Sequence, residues 1–128
     1  EATGPDDLTL QMVVSDAAEA TLSSVEGVSI LGAVAEGIEV ETPRYRQLTG
    51  ILAGWAEDGV TFLDIAGNDQ IMFTAISDAA TQTGALANLP RQGYGDTRHL
   101  FLVPVRELAQ TLRELDARGL RLEHIHDY

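Results

Sequence analysis

The stretch RHLFLVPVRELAQTLRELDARGLRLEHIHDY, residues 98–128, decides the fold that the sequence predicts. It opens with a β-rich run, and its middle part carries Leu108, Leu112 and Leu115 at helical spacing. Gly119 is a typical helix stop, and a second alternating run follows it. A strand, a helix and a strand in this order predict a right-handed crossover unit whose two strands are parallel neighbours.

The final run predicts which of its side chains share a face. Residues at every second position of a strand point the same way. This periodicity puts Leu120, Leu122, His124 and His126 on one face and Glu123 and Asp127 on the other. The histidines then lie near the carboxyl end of a strand, where binding sites in parallel sheets gather.

Two imidazoles on alternate strand residues can bind one metal ion together, which makes His124 and His126 candidate metal ligands. A divalent metal ion is therefore the one cofactor that the sequence indicates. A site needs a third ligand, and His99 lies at the opposite end of the predicted parallel strand. Asp127, Asp64 or Asp69 of the predicted hairpin, or a neighbouring subunit remains as a donor. The alternative is that both histidines make hydrogen bonds at a sheet end or at a subunit interface.

The same residues, 99–128, resemble the first βαβ unit of ACT-type regulatory domains. There a strand of the pattern G-[apolar]-x-[apolar] follows the helix, as in Gly119-Leu120-Arg121-Leu122. The segment is also similar to the ferredoxin-like C-terminal domain of nickel-responsive repressors, in which a strand with His-x-His supplies metal ligands. The resemblance implies a small-molecule or metal-sensing module that oligomerises through its sheets.

The rest of the chain predicts further strands and helices. The alternating or β-rich runs predict strands over 8–14, 28–35, 38–41, 60–66 and 70–76. Helices are expected over 17–26 with Asp16 as cap and from Pro43 to about Trp55. A third helix is expected within 77–90, beginning at Ser77 or Asp78 and ending before Pro90. A Gly67-Asn68 signal predicts a hairpin that joins strands 60–66 and 70–76.

These elements predict an α+β fold. The mixed strand order favours a mixed sheet with helices packed on one face and with ferredoxin-like, split βαβ elements. A chain of 128 residues without a linker indicates a single domain over 1–128, with a flexible N-terminus over 1–7. We find no repeat of fixed period in the sequence.

The net charge of the chain argues against a nucleic-acid partner. The net charge is −12, every basic residue is an arginine, and no basic residue precedes Arg44. Such a field repels phosphate backbones, so we expect no nucleic-acid partner. No apolar run is long enough for a membrane span, so we expect no membrane insertion. The composition, the turn-rich N-terminal segment and the lack of cysteine favour a periplasmic or secreted bacterial protein.

A second candidate site lies around the loop RQGYGDT, residues 91–97. Arg91 begins this loop and Arg98 follows it. Either this pair or the pair Arg44 and Arg46 can hold an anion, since each guanidinium offers two parallel hydrogen bonds. Tyr94 stands between two glycines and is expected to be exposed, so the loop could act as a lid or simply connect two strands. The alternative for the arginines is local ion pairing with the surplus of acids.

Three functions follow, in this order. The first is a non-enzymatic small-ligand-binding or regulatory module that binds a protein partner or a second copy of itself. The second is a structural or interaction subunit of a secreted complex, whose acidic N-terminal third binds a basic partner. The third is a metal-dependent protein that uses His124 and His126. The sequence contains no strong catalytic motif.

Overall fold

A computed structural model describes residues 9–44 and 46–126, except for the side chain of Arg46. The predicted flexible segment 1–7 and Asp127 lie outside the described residues. The chain is α+β. Its elements, in order, are β1 (Thr9–Ser15), α1 (Glu19–Ser23), β2 (Ser29–Ala33), β3 (Ile38–Pro43), α2 (Arg46–Glu57), β4 (Thr61–Ile65), β5 (Gln70–Ser77), β6 (Ala87–Pro90), β7 (Thr97–Pro104), α3 (Val105–Glu114) and β8 (Arg121–His126).

The strands form two sheets of four strands each. The first has the order β2-β3-β1-β4 and the second the order β6-β7-β5-β8. Every strand pair among the described residues is antiparallel. Two antiparallel sheets thus replace the single mixed sheet that the sequence predicted.

The crossover unit at the end of the chain forms, but its strands are not neighbours. Both β7 and β8 pair with β5, each in the antiparallel direction, so they run the same way with β5 between them. The prediction that the two strands are neighbours is wrong, although they do run in the same direction. The sequence pattern gave their relative direction but did not show that β5 lies between them. The helix between them is confirmed, with Leu108 and Leu115 buried.

The predicted hairpin between β4 and β5 is wrong, although its turn exists. The amide of Asn68 donates to the carbonyl of Ile65 at 2.9 Å. Ala66 and Gly67 both have positive φ, at 54° and 81°, which fits a tight turn of the hairpin type. After this turn the chain leaves the first sheet, and β5 becomes a central strand of the second.

The first helix is shorter than predicted and is capped differently. Helix α1 covers Glu19–Ser23, and its N-cap residue is Ala18, which makes no side-chain capping bond. The expected cap, Asp16, has a positive φ of 59° and accepts a hydrogen bond from Thr61 Oγ1 at 3.0 Å. Its carboxylate therefore joins β4 to the end of β1 instead of beginning a helix.

Two other local predictions need correction. Pro43 is the last residue of β3 and not the first of a helix; α2 begins at Arg46. The helix predicted over 77–90 does not form: this segment makes turns and then strand β6. Its residues are mostly small or polar and offer no continuous apolar stripe for a helix to bury.

The two sheets have equivalent strand orders and registers, and the sequence analysis did not predict this repeat. Thr9 pairs with Pro43 in the first sheet and Gln70 with Pro104 in the second, so both partners are displaced by the same 61 residues. Each sheet also has a β-bulge in its last strand, with one extra residue in β4 opposite Val13 and Val14 and one in β8 opposite Thr74 and Ala75. The chain thus contains two structural repeats, residues 9–65 and 70–126.

Helix α2 and the 3₁₀ turn Asp116–Arg118, which follows α3, end in the same way. Gly59 and Gly119 both adopt the left-handed conformation, at φ 91° and 74°. The next amide reaches back across each helix end, Val60 to the carbonyl of Trp55 at 3.0 Å and Leu120 to that of Leu115 at 2.9 Å. This is the Schellman pattern, in which glycine avoids the steric cost of positive φ.

The repeats differ in one element and share one core. Helix α1 of the first repeat has no helical counterpart in the second, where residues 78–86 form turns. Helices α2 and α3 contact each other, α3 lies beside β4, and α2 lies beside β8. Buried residues of both repeats, such as Leu48 and Leu108, belong to one hydrophobic cluster. No helix in the described ranges is long and apolar enough to cross a bilayer.

Candidate ligand-binding site

A β-bulge in β8 determines which side chains share a face. Thr74 pairs with His124, but its neighbour Ala75 pairs with Leu122, so Glu123 is an extra residue in the strand. Leu122 turns toward the core, whereas Glu123 and His124 both point to the opposite side. We call that side, which faces away from the hydrophobic core, the outer face of the second sheet.

The bulge overturns the predicted alternation. The sequence placed Leu120 and Leu122 on the histidine face and Glu123 on the other. Instead, Leu120 is buried in the core and Leu122 packs against it, while Glu123 joins His124 and His126 on the outer face. An extra residue shifts the period by one, and nothing in the composition of β8 marks its position.

The two histidines are close to each other. The ring centroids of His124 and His126 lie 4.6 Å apart, with their planes at 80°. Helix α2 fixes this strand, because Thr49 Oγ1 accepts the amide hydrogen of Ile125 at 3.0 Å. The same hydroxyl lies 3.5 Å from His124 Nδ1. The pair is therefore held by the other repeat and does not stand on a free strand end.

Arg98 of β7 reaches across β5 to the bulge. Its Nε and Nη2 donate to the two carboxylate oxygens of Glu123 at 2.7 and 2.6 Å. Hydrogen bonding to Arg98 lowers the pKa of Glu123, and hydrogen bonding to Glu123 raises the pKa of Arg98. Thr74 also hydrogen-bonds Glu123. These three residues and the two histidines line a cavity of about 310 Å³.

The predicted residues Arg91 and Tyr94 lie beside this cluster. Arg91 donates through Nε and Nη2 to Asp96 at 2.7 and 2.8 Å, and its guanidinium stacks over the Tyr94 ring at 4.2 Å. The hydrogen bond to Arg91 lowers the pKa of Asp96, and the bond to Asp96 raises the pKa of Arg91. Arg121 adds a contact to Asp96 at 3.3 Å. The Arg91–Asp96 ion pair thus joins the two ends of the 91–97 loop.

The structure brings the predicted site residues to one region of the second repeat. Charges of Glu123 act on Arg91, and charges of Arg91 and Asp96 act on Arg98, so the two ion pairs form one network. The predicted alternative of local ion pairing is present, because Arg91 pairs with Asp96 and Arg98 pairs with Glu123. A bidentate pair uses two of the five guanidinium N–H groups, so pairing and anion binding are compatible.

A metal ion would need more than the histidine pair. Within the described residues no group of three or more His, Cys, Asp or Glu side chains is arranged to hold a metal ion. Glu123 is adjacent but both its oxygens accept from Arg98. His99 is on the core side of the sheet, opposite Ala75, and the third candidate, Asp127, lies outside the described residues.

Sequence reasoning missed a buried polar network on that core side. His99 is fully buried; its Nε2 lies 2.8 Å from Ser77 Oγ, and its Nδ1 lies 2.7 Å from Asn88 Oδ1. Ser77 Oγ also accepts from the amide of Ala79 at 3.1 Å and from Gln82 Nε2 at 3.3 Å. The prediction that Ser77 begins a helix is wrong. Its hydroxyl instead hydrogen-bonds residues of the 78–86 segment.

The network occupies the place where the second repeat lacks a helix. Burial lowers the pKa of His99, and the charge of Arg118 lowers it further. Arg118 in turn donates to the carbonyl of Thr83 at 2.6 Å. Ser, His and Asn in this order have the connectivity of a hydrolase triad, but Ser77 is 3% exposed and already accepts two hydrogen bonds. We therefore assign it a structural role.

Comparison with known proteins gives no family, since no family model, curated protein or solved structure matches the chain.

Proposed function

We propose that the chain is a non-enzymatic binding module of an exported bacterial protein, and that it holds a small anionic ligand on the outer face of the second sheet. The bulge at Glu123 carries this proposal, because it gathers Arg98, His124 and His126 around one cavity. The volume of this cavity, about 310 Å³, lies at the lower end of the range that ligand sites have.

The chemistry of this cavity favours carboxylate or phosphate groups. Glu123 holds Arg98 in a fixed orientation, so little side-chain entropy is lost when a second anion binds the guanidinium. The second repeat has six acids and six arginines, whereas the first has nine acids and two arginines. An anion is therefore repelled least at the second repeat.

The same geometry supports binding over catalysis. A general acid or base needs a pKa near the working pH. The carboxyl of Glu123 has its pKa lowered by Arg98, and that of Asp96 is lowered by Arg91. Both carboxylates therefore act as fixed acceptors that position guanidinium groups.

We further propose that each repeat is a ferredoxin-like unit. The first repeat runs strand, helix, strand, strand, helix, strand, and its sheet order is β2-β3-β1-β4. The second sheet has the equivalent order, β6-β7-β5-β8. This arrangement agrees with the split βαβ elements and the ACT-type resemblance predicted for residues 99–128, and that resemblance implies a ligand-binding or regulatory role.

The test is a ¹⁵N NMR titration with inorganic phosphate and, separately, with succinate. We expect shifts confined to the amides of β8 and of the facing parts of β5 and β7. Arg98→Lys keeps the charge but loses the fork geometry, so binding should weaken about tenfold or more. Arg106→Lys on α3, whose partner is the exposed Glu36, is the matched control. Equal affinity in both variants would refute the assignment.

Metal binding is the second candidate, and the 4.6 Å separation of the His124 and His126 rings favours it. Zn²⁺ or Ni²⁺ should then raise the melting temperature, and the His124→Ala plus His126→Ala double variant should abolish that rise. A rise that persists in the double variant would place the metal elsewhere. Anion titration of the same double variant separates the two candidates, since Arg98 remains in place.

A further inference from the structure

A groove of about 700 Å³ lies in the first repeat, which is the more acidic of the two. One wall is the turn after α1, with Val25 and Glu26, and the other is helix α2. On α2 the groove follows Gly50 and Gly54, which are four residues apart and therefore on one helix face. Nothing in the proposed anion site involves these residues.

The two glycines have no role in packing within the chain. A Cβ atom built on Gly50 or Gly54 would meet nothing within 4 Å. Both are exposed residues in the interior of α2, where each glycine costs about 1 kcal/mol relative to alanine. The helix therefore bears a cost of about 2 kcal/mol that no internal contact requires.

Helix α3 shows what an ordinary surface would look like at this place. From α2 onward the displacement between the repeats is sixty residues, one fewer than in the preceding strands, and it relates Leu48 to Leu108 and Gly59 to Gly119. The same displacement relates Gly50 and Gly54 to Gln110 and Glu114. A long polar side chain thus covers each of these positions on α3. On α2 the backbone itself is open to close approach.

Trp55 gives an independent indication of an occupant. It lines the groove, it is 2% exposed, and its indole N–H has no hydrogen-bond partner in the described structure. A buried donor without a partner costs about 1–3 kcal/mol. The nitrogen is itself buried, so an oxygen atom of an occupant would reach it only if the indole shifted toward the groove.

The charges around the groove define the partner's chemistry. Its walls are apolar at Val25 and Ile51, whereas its rim carries Glu26 and Asp58. The first repeat has nine acids against two arginines, so the surrounding field is negative. We propose that the groove binds an amphipathic helix of a partner protein, with an apolar stripe over Gly50 and Gly54 and with Lys or Arg flanks at the rim. Such binding matches the helix-in-groove mode of recognition.

The experiment uses the whole chain, with the fluorescence of Trp55 as the signal. Trp55 is the sole tryptophan and lines the groove, so a change in its emission serves as the readout of groove occupancy. The probe is a synthetic amphipathic peptide of leucine and lysine, and the charge control is the same peptide with glutamate in place of lysine. We expect the Leu/Lys peptide to shift the Trp55 emission with saturation, and the Leu/Glu peptide to leave it unchanged.

A pair of variants separates groove binding from general attraction to an acidic protein. Gly50→Leu plus Gly54→Leu fills the groove without an internal clash, since both Cβ positions are open, and should raise the stability of α2. This variant should bind the Leu/Lys peptide about tenfold or more weakly. Gln110→Leu plus Glu114→Leu, at the equivalent positions of α3, should bind as the parent does.

Three results would overturn the proposal: no emission change with the Leu/Lys peptide, equal binding of both peptides, or undiminished binding by the filled-groove variant. Circular dichroism will test whether each variant is folded, so that loss of binding in a folded Gly50→Leu plus Gly54→Leu chain refers to the groove itself.

Discussion

His99 Nε2 lies 2.8 Å from Ser77 Oγ, and both side chains are buried beneath the turns that replace a helix in the second repeat. Asn88 Oδ1, an acceptor, lies 2.7 Å from the other ring nitrogen, so Nδ1 carries the proton and Nε2 accepts from the Ser77 hydroxyl. The ring must be neutral for both bonds to exist. A second proton would convert Nε2 into a donor and break the bond from Ser77.

The first prediction is a loss of stability in mild acid. The pKa of His99 is lowered below 6.5 in the folded chain by burial and by Arg118, whereas in the unfolded chain it returns to that value. Above 6.5 both states are neutral. As the pH falls below 6.5 the unfolded state takes up a proton first, so the free energy of unfolding should fall, by at most about 1.4 kcal/mol per pH unit.

Urea unfolding at pH 7 and at pH 5.5 measures this loss. The chain has three histidines, so NMR titration of their ring protons gives three curves, which His124→Gln and His126→Gln assign. The remaining curve, from His99, should have its midpoint below 6.5. A midpoint at or above that value would contradict the burial argument.

The second prediction compares two ion pairs. Arg98 and Glu123 make a bidentate pair with side chains 39% and 25% exposed, whereas the Arg106–Glu36 pair has one contact of 3.1 Å and is 58% and 64% exposed. Glu123→Gln should lower the free energy of unfolding by about 1 kcal/mol, and Glu36→Gln by about zero. Urea denaturation at low and high salt measures both. Equal effects would show that the fork geometry contributes nothing.

The third prediction tests the equivalence of the repeats. Gly59 and Gly119 stand at the same helix-ending position with positive φ, and neither has an atom within 4 Å of its missing Cβ. Substitution by alanine should therefore cost about 1–2 kcal/mol at each site through backbone strain alone. Gly50→Ala, inside α2, should instead stabilise by about 1 kcal/mol. Thermal and urea unfolding of the three variants will show whether the signs differ as expected.

The elements that sequence reasoning placed correctly are those with a complete local signal. Helix α3 has an apolar stripe and a glycine stop, and β7 and β8 have β-rich or alternating residues on either side of it. Local signals do not state which strand pairs with which. The position of β5 between β7 and β8 depends on contacts between segments far apart in sequence, and neighbours in sequence gave the wrong partner.

Residue type singled out the candidate site residues, but the period-two alternation put the histidines on the wrong face of β8. Arg91, Arg98, His124 and His126 do gather in one region, but the bulge reverses the predicted face of the histidines relative to Leu122. The repeat escaped notice because few residues are shared at the displacement of sixty, among them Leu48 with Leu108 and Ile65 with Ile125. Apolar character at equivalent positions suffices for the same fold.

The last prediction follows from the bulge. If Glu123 is deleted, Leu122 and Ile125 still face the core and His124 faces outward, because a regular alternation then fits the register with β5. The cost should be that of the lost ion pair and the local rearrangement, about 1–3 kcal/mol of unfolding free energy.

Deleting Leu122, by contrast, forces either Arg121 or Glu123 toward the core. An unpaired buried charge costs about 3–5 kcal/mol or more, enough to unfold a marginal domain. Circular dichroism and urea denaturation of the two deletion variants measure the difference. Equal destabilisation would mean that the extra residue is not what sets the faces of β8.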